Sequence, residues 1–283
     1  MVSGAAIACM AVSALIAIGL PVGLFLGLRR RLQLQFPPVI VGAVVFVVFA
    51  LVLEPMLHRV VLRPASDGTI ALAHQHPGLY VLYAALAAGV FEETGRLTGF
   101  LLMRRAYTRV RTGVAYGIGH GGIEAVLLVG VSMVTSIVLS LMLNARGTLP
   151  PALGSTATTL TGTAPGLFLV GGAERISAMA VQLSLSVLVW VAVTHVGRRW
   201  LFPLAIGLHA LADVPSAIYQ TGALGIGLTE GLTALIAAGI LAYALVWLRR
   251  CLAEERESAS LASMAPPSVD SQPPSTTNSG VLT

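Results

Sequence analysis

Glu92, Glu93 and Arg96 fall within one long apolar stretch of the chain, His120 and Glu124 within the next, and His209 and Asp213 within a third. A fourth stretch opens with Glu174 and Arg175. A charge at the centre of a bilayer costs at least ~2.5–3.5 kcal/mol on insertion scales, so such groups face a bundle interior, pair up and mark a site. Three of the clusters repeat one geometric device. Glu92 and Arg96, His120 and Glu124, and His209 and Asp213 are each four residues apart, a spacing that stacks both side chains on one face of a helix. The chemistry open to such a set is hydrolysis. Two imidazoles with carboxylates can hold a zinc ion and leave a coordination position for water, and a glutamate shielded from bulk water can act as general base. Arg96, one turn from Glu92, could hold that carboxylate or keep its neighbour charged.

The elements that must position these groups are membrane helices. The chain is 56% hydrophobic and 10% charged, with a mean hydropathy of +0.86, which places it in the polytopic membrane class. Seven apolar stretches, near 4–28, 38–57, 79–103, 113–143, 166–194, 200–220 and 223–248, meet or approach the roughly 20 residues needed to cross a bilayer. The expected fold is an all-α transmembrane bundle of about seven spans, multi-pass in the inner (cytoplasmic) membrane.

Orientation follows from arginine, because the chain contains no lysine. Clusters at Arg29–Arg31, Arg104–Arg111, Arg198–Arg199 and Arg249–Arg250 fall on one side of a seven-span bundle, with Arg59, Arg63 and Arg146 opposite. The positive-inside bias gives an N-terminus outside and a C-terminus inside. The net charge of +5 is this topology signal, and a nucleic-acid partner is excluded. Residues 1–250 form the membrane domain. Residues 251–283, rich in Ser, Pro, Thr and acidic residues, are expected to be a disordered cytosolic tail. The loop around 145–165 is rich in small and turn residues and is expected to be mobile. Cys9 and Cys251 lie at opposite ends of the bundle and should not pair.

At about 1.5 Å per residue, His120 lies roughly 10 Å, His209 roughly 13 Å and Glu92 roughly 16 Å in from the arginine clusters. Three helices therefore bring polar groups to a similar depth. Glu174 and Arg175 come out nearer the opposite surface and read as an interfacial pair. Glu54 and Glu230, near span ends, read as wetted. His58, His74 and His76 read as solvated in a loop, and His195 as interfacial.

At these residues the sequence resembles a known family. Glu92-Glu93-Thr-Gly-Arg96, Tyr116-x-x-x-His120 and His209-x-x-x-Asp213 are similar to the three motifs of the CAAX protease and bacteriocin-processing superfamily. The stretches FEETGR, GHGGIEA and Glu174-Arg175-Ile look closest to its YhfC branch, described as intramembrane metalloproteases. The resemblance spans roughly residues 80–220. It implies that Glu92 or Glu93 activates water and that His120 assists or ligates metal. It also implies that His209 and Asp213 ligate metal or stabilise the oxyanion, and that Arg96 and Glu124 belong to the site. Two features depart from the pattern: Arg96 follows the glutamate pair after two residues rather than three, and the third motif ends in Asp rather than Asn.

The expected activity is hydrolysis of a peptide bond in a membrane-associated or lipid-modified protein by glutamate-activated water, either metal-free or assisted by Zn2+, with a site opening towards the cytosolic half of the bilayer. The alternatives are a proton- or cation-coupled transporter, whose relays use the same residue types, and a catalytically inactive membrane scaffold.

Overall fold

Seven long helices follow one another along the chain, and no strand occurs among the described residues. The structure is a computed structural model describing residues 1–264. The helices are α1 (Gly4–Leu32), α2 (Pro37–Val61), α3 (Pro77–Met103), α4 (Arg111–Arg146), α5 (Leu167–Thr194), α6 (Leu201–Gln220) and α7 (Ile226–Met264). Six of them are long and apolar enough to cross a membrane. The exception is α3: its 27 residues suffice in length, but Glu92, Glu93 and Arg96 make it less apolar. It packs on α6, α5 and α2, so its charges sit inside the bundle. The outer surface is apolar: Leu15, Val22, Leu26, Leu82, Leu102, Leu128 and Leu235 are all exposed. Such a surface suits lipid, where helices satisfy their backbone groups internally.

Local sequence explains the element ends. Ser3 caps α1, its hydroxyl accepting from the Ala6 amide at 3.1 Å, and Gln33 ends it in the left-handed conformation. Glycine sets how closely the site-bearing helices approach. A Cβ at Gly89 of α3 would stand 2.8 Å from the Ile206 carbonyl oxygen of α6, and one at Gly119 of α4 would collide with the Val39 carbonyl of α2. Small residues at such crossings let membrane helices approach closely. Two helices carry a π-helical stretch, Val47–Leu53 in α2 and Val126–Gly130 in α4. These end just before Glu54 and begin just after Ala125, and such bulges often lie at functional sites.

Two expectations change. The tail does not begin at 251: α7 continues to Met264. Cys251 is buried, Glu254 pairs with Arg198, and Glu255 accepts from the Val110 amide, while the run of Ala, Leu, Glu and Arg favours helix. The rest of the expected disordered tail, 265–283, lies outside the described residues. The 145–165 segment contains a helix, Gly154–Gly162, whose Leu160 is buried with Val2, Ala6, Met10 and Leu143. Cys9 and Cys251 are both free, as expected.

Candidate active site

The glutamate pair of α3 divides its work. Glu93 is fully buried; its Oε1 meets His209 Nδ1 of α6 at 2.7 Å and its Oε2 lies 2.9 Å from Arg96 Nε, one turn along α3. Glu92 faces α4 and α5. Its Oε2 lies 2.9 Å from His120 Nε2 and accepts from Gln182 Nε2 at 2.9 Å, and its Oε1 is 3.9 Å from His209 Nε2. Arg96 therefore holds Glu93 and not Glu92. Its other nitrogens run to α5, donating to the Gln182 carbonyl at 2.8 Å, the Gln182 side-chain oxygen and the Ser186 hydroxyl. A fully buried guanidinium is tolerable only with this degree of pairing.

His120 is fixed by aromatic packing. Tyr116, one turn earlier, stacks on it with ring centroids 5.8 Å apart, and Phe46 meets it edge-on at 5.1 Å. Phe100 and Trp190 close the layer on the arginine-rich side, with Phe100 4.4 Å from the Tyr116 ring and 5.1 Å from that of Trp190. Those two packing aromatics give the His120 ring one orientation, which aims Nε2 at Glu92. Its Nδ1 is buried without a hydrogen-bond partner among the described residues.

A second ion cluster continues from the first. Gln182 Nε2 also donates to Glu124 Oε2 at 2.7 Å, and Glu124 Oε1 accepts from Arg175 at 2.7 Å. Arg175 pairs in turn with Glu174. Arg175 is thus a buried member of the site network, not an interfacial residue, because α5 packs against α4 and brings it onto Glu124. The residues the sequence reading missed are Gln182, which touches Glu92, Glu124 and Arg96, and Glu54. Glu54 is buried rather than wetted, at 8% exposure, and holds His58 at 3.1 Å. A glutamine in an apolar span carries no motif, and the only signal for Glu54 was its acidity beside a long hydrophobic run.

Asp213 lies 3.6 Å from His209 Nε2 and borders a cavity of about 600 Å³. Its other walls include Glu54, His58, Tyr80, Glu124, Arg175 and Gln220. These residues sit where α2, α3, α5 and α6 meet the arginine-poor end. The expected opening towards the arginine-rich, cytosolic half is therefore corrected. On that side the site is sealed by Phe100, Tyr116, Leu185, Leu188 and Trp190, all fully buried.

The expected metal set, His120, His209 and Asp213, is not gathered into one coordination sphere. Among the described residues, the trio of metal-type ligands with all atoms within 4.8 Å of one another is His195, Cys251 and Glu254. The reason is that Glu92 occupies His120 Nε2. The donors around His209 are of the types a divalent ion takes, though they are not drawn into one set of three. Glu93 takes Nδ1, which leaves Nε2 facing Asp213 at 3.6 Å and Glu92 at 3.9 Å. Those gaps are too long for hydrogen bonds and close to the ~3.3–3.7 Å separating two ligands of one tetrahedral zinc. A carboxylate on the far nitrogen of a ligating histidine is also the usual support for such a ligand.

The arrangement defines a multi-pass α-helical membrane protein with a buried Glu–His–Gln–Arg network beneath one cavity, which Asp213 lines. The family described as YhfC intramembrane metalloprotease matches residues 14–236, and the chain belongs to that family. It is also 40% identical over 251 residues to the "Uncharacterized membrane protein YhfC" of Bacillus subtilis (strain 168), covering 84% of this chain and 95% of that protein. No solved structure matches.

Proposed function

We propose that the protein is an intramembrane peptidase of the cytoplasmic membrane that hydrolyses a peptide bond of a membrane-associated or lipid-modified protein, with Glu92 as the group that activates water. The observation that carries this reading is the division of the glutamate pair. Glu93 is locked between Arg96 and His209, whereas Glu92 is held by hydrogen bonds yet faces two imidazoles and lies just behind Asp213 and Glu124 at the cavity wall. A carboxylate in that position takes a proton from water as its oxygen attacks the scissile carbonyl carbon. His120, within reach of Glu92, returns the proton to the departing amine as the C–N bond breaks. The oxyanion would lie against His209 Nε2. Alternatively, a zinc ion held by His209 and Asp213 would take over that role, polarising the carbonyl and lowering the pKa of the attacking water, with Glu92 and His120 keeping theirs as base and acid.

A proton relay through the bilayer is the rival reading, and the polar chain from Glu174 through Arg175, Glu124 and Gln182 to Arg96 favours it. That chain ends at Ser186, beneath the apolar Leu185, Leu188 and Trp190 layer. Among the described residues no buried ion pair carries it on towards the arginine-rich end, which favours hydrolysis over transport.

The test is a comparison of protein termini in membranes of cells producing wild-type protein or Glu92→Gln. New termini that require Glu92 are expected. Identical termini in the two samples would overturn the proposal.

A further inference from the structure

The arginine-rich end of the bundle holds a second set of ligand-type side chains that the proposed peptidase does not use. His195 follows the last residue of α5, roughly 20 Å along the helix from Gln182. Its Nε2 lies 3.9 Å from the Cys251 sulfur and 3.6 Å from Glu254 Oε2, both on α7. The opposite ring nitrogen, Nδ1, lies 2.9 Å from the Thr194 hydroxyl, which is positioned to fix the tautomer and present Nε2 to the other two groups. Thiolate, imidazole and carboxylate are the three ligand classes of zinc. The two separations from His195 Nε2, 3.9 and 3.6 Å, are within a few tenths of an ångström of the ~3.3–3.7 Å expected between ligands of one tetrahedral ion, and all three ligand atoms lie within 4.8 Å of one another. The trio lines a cavity of about 630 Å³ open to the arginine-rich side, which leaves the fourth position for water or a further ligand.

We propose that His195, Cys251 and Glu254 form a binding site for one soft divalent cation of the zinc class, distinct from the buried motif residues. The ion would tie α7 to the connection between α5 and α6. Binding takes the cysteine as thiolate, its proton passing to solvent. The site has a resident competitor: Arg198 donates to Glu254 Oε1 at 2.7 Å and lies 3.6 Å from the Cys251 sulfur, its guanidinium over the Trp247 ring. Arg198 is partly exposed, so the cation displaces it towards the cavity. The two states exclude each other, and removal of the arginine tightens the site.

The experiment is titration of the full-length protein in detergent with Cd2+, followed by the ultraviolet thiolate-to-metal charge-transfer absorption. The motif residues of the peptidase site contain no sulfur, so this signal is independent of that site and of whether the protein is a peptidase. A saturable signal is expected in wild type and in Cys9→Ser, absent in Cys251→Ser, strongly weakened in His195→Ala and Glu254→Gln, and tightened in Arg198→Gln. Zn2+ should compete it away. No signal, a signal that survives Cys251→Ser, or one indifferent to both His195→Ala and Glu254→Gln overturns the proposal. Cys251→Ala replaces the serine variant if the latter does not fold.

Discussion

Glu93 and His209 are joined by a 2.7 Å contact that links α3 to α6. The same carboxylate neutralises Arg96, so Glu93 serves the site by holding other groups still. Glu93→Gln should cost stability as well as activity. It leaves a fully buried guanidinium short of its counter-charge, a loss of the kind worth about 3–5 kcal/mol. Glu92→Gln should keep the fold and lose activity by roughly 10²–10⁴-fold, the usual contribution of a general base. Thermal unfolding in detergent beside a cleavage assay separates the two. Equal loss of stability in both variants would argue against the division of roles.

Gln182 connects the two ion clusters, donating to Glu92 and Glu124 while accepting from Arg96. Gln182→Glu would add a negative charge between two carboxylates, whereas Gln182→Leu would remove every side-chain bond and leave Arg96 only the backbone carbonyl there. Both should abolish activity, and the leucine variant should lower stability by about 1–3 kcal/mol through the polar groups left unpaired. Activity unchanged in Gln182→Leu would remove the residue from the site.

The polar groups of α3, α4 and α6 can be singled out from the sequence, because spacing of four residues and similar depth are properties of it, but their partners cannot: Arg96 holds Glu93 rather than Glu92, and His120 meets Glu92 rather than Glu124. Nor can the third wall. Gln182 lies in an apolar run with no neighbouring ionisable residue, and only packing reveals what it touches. Depth counted along a straight span puts Arg175 near the opposite surface, while its contact with Glu124 depends on how α5 packs on α4. The access direction is hidden from the sequence for a related reason. Arginine clusters give distance from one surface, but the aromatic plug of Phe100, Tyr116 and Trp190 is what closes that route. Polar composition alone makes residues 251–264 read as tail, and their contacts with Arg198 and Val110 come only with the fold.

Access from the arginine-poor end is testable directly. Ser216 lines the cavity alongside Asp213 and Gln220. In a Cys9→Ser, Cys251→Ser background, Ser216→Cys should react with a membrane-impermeant thiol reagent in one orientation of sealed vesicles. That orientation is the one in which the 62–76 loop faces the reagent, and a protease site inserted in that loop reports it independently. Labelling only from the arginine-rich side would reverse the assignment.

Close helix crossing makes a further prediction. At Gly89 a side chain meets the Ile206 carbonyl and the base of His209, so Gly89→Val must push α6 away from α3. His209 would then lose its contact with Glu93, and activity should fall with a modest drop in stability, about 1–3 kcal/mol for overpacking. Gly207, which has open space around it, is the control: Gly207→Ala should leave activity intact. Full activity in Gly89→Val would mean that the His209–Glu93 contact is dispensable.

Metal content discriminates the two ways the motif residues could work. If His209 and Asp213 hold zinc, purified wild-type protein should contain it near stoichiometrically, and His209→Ala and Asp213→Ala should each lose it while remaining folded. The neighbouring trio complicates a bulk measurement, so the comparison is made in a Cys251→Ser background, where His195 and Glu254 lack their thiolate. Glu93→Gln then supplies the finer reading. The carboxylate on the far nitrogen of a ligating histidine typically matters 10–100-fold for affinity, so zinc retention should weaken by about that factor even though Glu93 does not face the ion. Zinc retained in His209→Ala within this background would place the metal elsewhere. A metal-free protein that still cleaves its substrate would leave Glu92 and His120 to carry the hydrolysis alone.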